Sequence, residues 1–160
     1  MSMSKDENML TWVSLVHAGT YLPGALNQHL LVELGISLAE QDLLKQLNAA
    51  GGKLKLIELS RRLYLSKAGV TKMMDRLESA GLVRRERSEA DRRVINARLT
   101  PNGKEAFRRS RKLLGPWVKS NLAAHLSDKQ LRALLDALQC VLEGHDRWEG
   151  QMAHLRGEGT

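Results

Sequence analysis

Only one cysteine, Cys140, occurs in 160 residues, so no internal disulfide can form, and a reducing cytoplasm is the expected setting. Aromatic side chains are scarce too: three Trp, two Tyr and one Phe. Leu, Val, Ala and Met carry the apolar content instead, which suits helices and speaks against an all-β sandwich. No apolar run approaches the ~20 residues that a membrane span needs. Met1 to Leu10 is polar and mixed in charge, so no secretory leader is expected. No phosphate-cradling glycine loop, nucleophile elbow or pair of catalytic carboxylates can be placed. Glu40 and Asp42 read as helix-capping and first-turn charge. His17, His29, His125, His145 and His154 never fall at the i,i+4 spacing of metal ligands. His145-Asp146 is at most half a metal site, and a surface or C-capping histidine is the plainer account. Neither catalysis, nor a metal, nor a cofactor is expected.

Charge is what the chain has in excess, and it is unevenly spread. Lys53 to Lys112 holds 18 Lys and Arg against 7 Asp and Glu, a net +11, whereas the remainder nets −4. A polyanion such as nucleic acid best explains a block of this kind, although a solvated basic surface would give the same composition. The motifs have to decide between them.

Apolar periodicity predicts helices at both ends. From about Asp6 to Leu34, Leu10, Val13 and Val16, then Leu26, Leu30 and Leu34, recur at helical spacing, with a kink or short break expected at Gly19, Pro23 and Gly24. Ser37-Leu38-Ala39-Glu40 has the form of a capping box and opens a helix to about Asn48, which Ala50-Gly51-Gly52 ends. Thr100-Pro101 reads as an N-cap with proline at the first helical position, and the helix that follows should bend near Gly115-Pro116. A second capping box, Ser127 to Gln130, starts a last helix carrying Leu131, Leu134, Leu135, Leu138, Val141 and Leu142. Cys140 is expected on its apolar side as a buried structural thiol. Residues from about Arg156 to Thr160 should fray.

Lys55 to Leu99 carries the functional signal. Leu56, Leu59 and Leu63 line one helix face, Tyr64-Leu65 makes a tight turn, and Ser66 can cap the next helix. That helix runs to Ala80, where Gly81 stops it. It turns Val70, Met73, Met74 and Leu77 inward and leaves Lys67, Thr71, Lys72 and Arg76 outside. Such a pair of helices matches a helix-turn-helix whose second member enters the major groove. Lys72 and Arg76 suit phosphates or guanine O6/N7, and Thr71 suits base edges or a thymine methyl. Ser66 would present its amide and hydroxyl to a phosphate. By itself the pair reads equally well as an amphipathic helix with a basic solvated face. The next residues shift the balance. Leu82 to Arg87 and Val94 to Leu99 alternate like two antiparallel strands, joined by the arginine-rich tip Ser88 to Arg93. A hairpin in this place is a wing, and Arg92 or Arg93 at its tip fits a narrow minor groove. Asp91, two residues before Arg93, is placed to orient its guanidinium by a bidentate pair; an incidental surface pair is the alternative.

These motifs resemble the MarR family of bacterial and archaeal winged helix-turn-helix regulators. The likeness rests on Met73-Met74-Asp75-Arg76-Leu77-Glu78, Ala80-Gly81-Leu82-Val83-Arg84-Arg85, Asp91-Arg92-Arg93 and Leu99-Thr100-Pro101-Asn102-Gly103, and is strong over about Leu38 to Gly103. It implies a mainly α fold with a small β wing. Residues 1–36 and 101–160 would be helical dimerisation segments, and residues 37–100 the DNA-binding domain. It further implies a homodimer with interlocking terminal helices, bound to a pseudo-palindromic operator in double-stranded DNA and acting as a repressor. In the resemblance Arg93 reaches the minor groove, and Thr71, Lys72 and Arg76 hold helix positions used at the operator. A small phenolic or aromatic acid would modulate binding from a crevice that Trp12, His17 and Tyr21 could line, though core or dimer packing accounts for each of these three more simply. Two other readings stand beside it: an architectural protein that binds DNA without sequence preference, and a winged-helix module that meets an acidic protein partner.

Overall fold

A computed structural model of the chain describes residues 4–88, 91 and 93–143. Arg92, His145, Asp146, His154 and the terminal stretch 156–160 lie outside the described residues. The chain divides into two compact units, residues 1–38 and 39–160.

The first unit is built on one helix, α1 (Lys5–Leu34). Ser4 caps it reciprocally with Glu7: the Glu7 amide donates to Ser4 Oγ (3.2 Å), and the Ser4 amide donates to the Glu7 carboxylate (2.6 Å). Gly35 closes it at φ 68°, a left-handed conformation open to glycine, with its N–H on the Leu31 carbonyl. The Asn27 side chain then accepts the amide of Leu38 at 2.9 Å, fixing the exit of the chain. Of the kink or short break expected near Pro23, the break is absent, because α1 continues through it. A proline removes one donor and crowds one carbonyl, and the rest of a helix this long persists around that local loss.

In the second unit α2 (Leu38–Ala49) ends at Gly51 and Gly52, whose positive φ values of 71° and 91° turn the chain into β1 (Lys53–Lys55). Next come α3 (Leu56–Arg62), α4 (Lys67–Ser79), β2 (Val83–Arg87), β3 (Ile95–Leu99), α5 (Pro101–Asn121), a 3-10 turn at Ala123–His125 and α6 (Asp128–Glu143). The sheet is antiparallel in the order β1-β3-β2. The hairpin expected from the sequence is therefore widened by a third strand, with Leu54 opposite Ala97 and Ala97 opposite Arg85. Three residues after a Gly-Gly turn are too short for alternation to announce a strand.

Leu43, Leu44 and Leu47 of α2, Leu59 of α3, Val70, Met74 and Leu77 of α4, and Val83, Ala97 and Leu99 of the sheet are buried. Each large apolar side chain of this set contributes roughly 1.5–3 kcal/mol on leaving water. Between α3 and α4 the chain turns at Tyr64, φ 52°, an uncommon conformation for a side chain with a Cβ. The Leu65 amide closes that turn on the Ser60 carbonyl.

α5 is continuous through Gly115 and Pro116, where the sequence leads one to expect a bend. One further expectation changes. Cys140 is exposed, not buried. Helical geometry gives the reason: two residues from Leu138 is a rotation of roughly 200°, which sets the thiol opposite the leucine stripe of α6.

Candidate nucleic-acid interface

Ser66 caps α4 by accepting the Gly69 amide at 3.1 Å, so part of its hydroxyl's capacity is already committed to the helix. From that start Lys67, Thr71 and Lys72 project into solvent, while Val70, Met74 and Leu77 anchor the opposite face. Lys67 and Thr71 also line, together with Arg93, an opening of about 450 Å³ whose remaining lining is Lys55 and the apolar Leu56, Ile57, Val70, Val94 and Ile95. Three of the residues singled out in the sequence, on two separate elements, thus share one surface.

Arg76 is placed differently. Its guanidinium pairs with Glu40 of α2, Nε donating to Oε1 and Nη2 to Oε2 (2.9 Å). The Glu40 side chain is 4% exposed and that of Arg76 55%. Hydrogen bonding to Glu40, and then its charge, holds the guanidinium above its usual pKa. Glu40, expected to serve as a capping residue, ties α2 to α4.

A second arginine grips the same helix from the wing. Arg85 of β2 donates its amide to Glu78 (2.8 Å), its guanidinium to the carboxylates of Glu78 and Asp75 (2.6 Å to Asp75), and Nη2 also to the carbonyl of Thr71 (3.1 Å). Burial, the largest influence, pushes this guanidinium down, but the hydrogen bonds and charges of Asp75 and Glu78 together hold it above its usual value. Thr71, Asp75 and Glu78 follow i, i+4, i+7 spacing, so one strand side chain reaches along two helical turns. In the sequence Asp75, Glu78 and Arg85 stand out only as letters of a motif. The helical spacing of the two carboxylates is a legible signal, but nothing local says which strand residue meets them.

In the wing the Ser88 amide donates to the Val94 carbonyl, closing the base of the tip. Asp91 does not clamp the guanidinium of Arg93. Its carboxylate accepts the Arg93 backbone amide at 2.9 Å, as a short side chain two residues upstream commonly does. On the outer face of the sheet Glu86 pairs with Arg84 (2.7 Å), Arg98 (2.8 Å) and Lys53 (3.7 Å). Lys53, Arg98 and Arg84 sit opposite one another across the three strands, and this single carboxylate offsets their repulsion.

Where the wing meets α5, Thr100 caps the helix by accepting the Gly103 amide and donates to the Gly81 carbonyl (2.7 Å). A Cβ on Gly103 would lie 2.0 Å from the Leu82 carbonyl oxygen, so the Leu-Thr-x-x-Gly motif marks a backbone approach only glycine permits.

On α1, Trp12, His17 and Tyr21 are all exposed. His17 and Tyr21 share a face, but Trp12 lies roughly 140° and 180° around the helix from them, so one helix does not gather the three. Among the described residues no group of three or more His, Cys, Asp and Glu could hold a metal ion, and no helix is long and apolar enough to cross a membrane.

Comparison with known proteins agrees with this architecture. Residues 36–95 match the model of the MarR family. The HTH-type transcriptional regulator YfiV of Bacillus subtilis is 34% identical over 107 residues, a match spanning 60% of this chain and 66% of YfiV, just under two thirds of that relative. Among solved structures, the MarR family regulator AbsC of Streptomyces coelicolor superposes with a TM-score of 0.78 at 26% identity, covering 98% of this chain and 99% of AbsC. Sco3205, a MarR family regulator of the same organism in complex with DNA, does so with a TM-score of 0.78 at 27% identity, covering 91% and 92%.

Proposed function

Because the chain belongs to the MarR family of transcriptional regulators, we propose that it binds a pseudo-palindromic operator in duplex DNA as a homodimer and represses transcription until a small aromatic acid releases it. The observation that carries the reading is the shared surface of Lys67 and Thr71 on α4 with Arg93 of the wing. In this reading Thr71 and Lys72 read base edges or phosphates in the major groove, Lys67 and Ser66 take a phosphate at the helix start, and Arg93, with Arg92, enters the adjacent minor groove. Asp91 shapes the tip that presents Arg93. Arg76 becomes a positioning residue in place of a DNA contact, since two of its donors face Glu40.

Exposed apolar side chains support the homodimer. Among the described residues of α6 none is buried, although Leu134, Leu135 and Val141 are large and apolar. On α1, Trp12, Tyr21 and Val32 are more than half exposed. A second copy covers such faces at less cost than water does. An effector finds support in the opening beside Lys67, whose apolar and cationic lining suits an aromatic carboxylate and whose occupation would compete with DNA for the same cations.

Selection of bound fragments from a random duplex pool at physiological salt, followed by footprinting and light scattering, tests the proposal. The expected result is a recurrent inverted repeat with half-sites about one helical turn apart, held by a dimer. Equal affinity for every duplex would favour the architectural reading, and a monomer would overturn the operator symmetry.

A further inference from the structure

The basic block of the sequence does not coincide with the recognition helix. α4 carries Lys67, Lys72 and Arg76 against Asp75 and Glu78, a net +1, and Arg76 is paired with Glu40. α5 carries six Lys and Arg against Glu105 alone, a net +5. Lys104, Arg108, Arg111, Lys112 and Lys119 are all exposed, and 100° per residue puts them within about 100° of arc along roughly 22 Å of helix. Glu105 is bound within the helix by Arg108 at 2.6 Å. Among the described residues, no carboxylate forms a salt bridge with Lys104, Arg111, Lys112 or Lys119. Lys104 with Arg108, and Arg108 with Lys112, are like charges at i,i+4, an arrangement that weakens a helix unless something else balances it. Arg108, Arg111 and Lys112 also surround a shallow notch of about 310 Å³ with no acidic side chain in its wall.

We propose that this stripe on α5 is a second DNA-binding surface, which takes the sugar–phosphate backbone of duplex lying beyond the bases read by α4 and the wing. It rests on the operator-binding reading given above and extends it. Charge complementarity selects the occupant. One strand presents a phosphate about every 3.4 Å along the duplex axis, so the stripe spans roughly six of them. Its cations project from one helix face with no aromatic, amide or hydroxyl side chain among them, and their spread over roughly 22 Å follows a backbone better than it fills one groove.

The test uses the full chain and an Arg111→Glu, Lys112→Glu variant, two exposed positions, with melting curves to verify that both are folded. Each is titrated across a salt series with a long random-sequence duplex, and with a short duplex trimmed to the inverted repeat of the selected site, without flanks. The expected result is about tenfold weaker binding of the variant to the long duplex, with the slope of log K against log salt shallower by roughly 2, about 0.9 for each phosphate no longer neutralised. Affinity for the short duplex should hold within about threefold. Equal binding of the long duplex by parent and variant would overturn the proposal. So would a variant that light scattering finds monomeric where the parent is dimeric, because the stripe would then serve the interface between copies. If the parent itself prefers no site over random duplex, the operator reading fails while the long-duplex comparison still decides the role of α5.

Discussion

Arg76 and Glu40, 36 residues apart in sequence, meet through two hydrogen bonds, with the carboxylate buried and the guanidinium half exposed. Removing the arginine would leave a buried carboxylate without its countercharge, whereas removing both charges would not. Arg76→Ala should therefore destabilise the chain by roughly 1–3 kcal/mol, below the range for fully buried pairs because Arg76 is partly solvated. Combined with Glu40→Gln, the loss should shrink. Thermal melts of the two single variants and the double variant check this, and additive losses would show that the pair is not coupled.

Arg85 faces α4, not solvent, so its contribution to DNA binding should be indirect. Arg85→Ala is expected to weaken operator binding by about tenfold, roughly 1.4 kcal/mol, while leaving the salt slope unchanged, because no phosphate neutralisation goes with it. Lysine should rescue poorly, as it lacks the planar fork that spans Asp75 and Glu78. A shallower slope in the alanine variant would mean that Arg85 touches the duplex itself.

Lys72→Ala and Arg93→Ala should differ in kind. A base contact by Lys72 would cost roughly 1–3 kcal/mol and relax preference at one position of the site, while removal of Arg93 should tell most on AT-rich flanks with a narrow minor groove. Competition assays with single-base operator variants separate the two patterns.

Hydrogen bonding from Arg98, followed by the charges of Arg98 and Arg84, holds the Glu86 carboxyl below its usual range, even though burial pulls the other way. A carboxyl with a depressed folded pKa adds stability that is in place above its ordinary value and disappears as pH falls through the depressed one. The wing should loosen on acidification below the usual carboxylate range, and Glu86→Gln should flatten that acid limb while lowering stability at neutral pH. Hydrogen exchange of the β3 amides against pH measures it; an unchanged acid limb in the variant would remove Glu86 from the account.

Gly103→Ala meets the carbonyl of Leu82, which cannot swing aside as a side-chain tip would. A loss of roughly 1–3 kcal/mol or more, about the cost of overpacking, is expected by chemical denaturation. Gly115→Ala, with open space around it, is the matched control.

What could be read from the sequence was local. The Ser66, Thr100 and Ser127 caps stand where short side chains precede helical periodicity. The wing strands alternate, and Gly81 has the positive φ (69°) expected at the end of the recognition helix. What escaped depends on distant partners or on precise rotation. Nothing near Arg76 announces Glu40, and Arg85 looks like any strand arginine until α4 packs beneath it. Asp91 has both a guanidinium and an amide within reach, and the nearer, less flexible amide takes it. Cys140 falls half a helical turn from its expected place.

Held by α2 through Arg76 and by β2 through Arg85, α4 has little freedom to tilt or slide on its own. A signal that loosened it alone would have to break charged contacts on two sides at once. In the proposed homodimer, any control over such a reading head would therefore fall to the separation and relative angle of entire winged bodies, and variants that alter sensitivity without altering affinity should cluster in the segments that join those bodies.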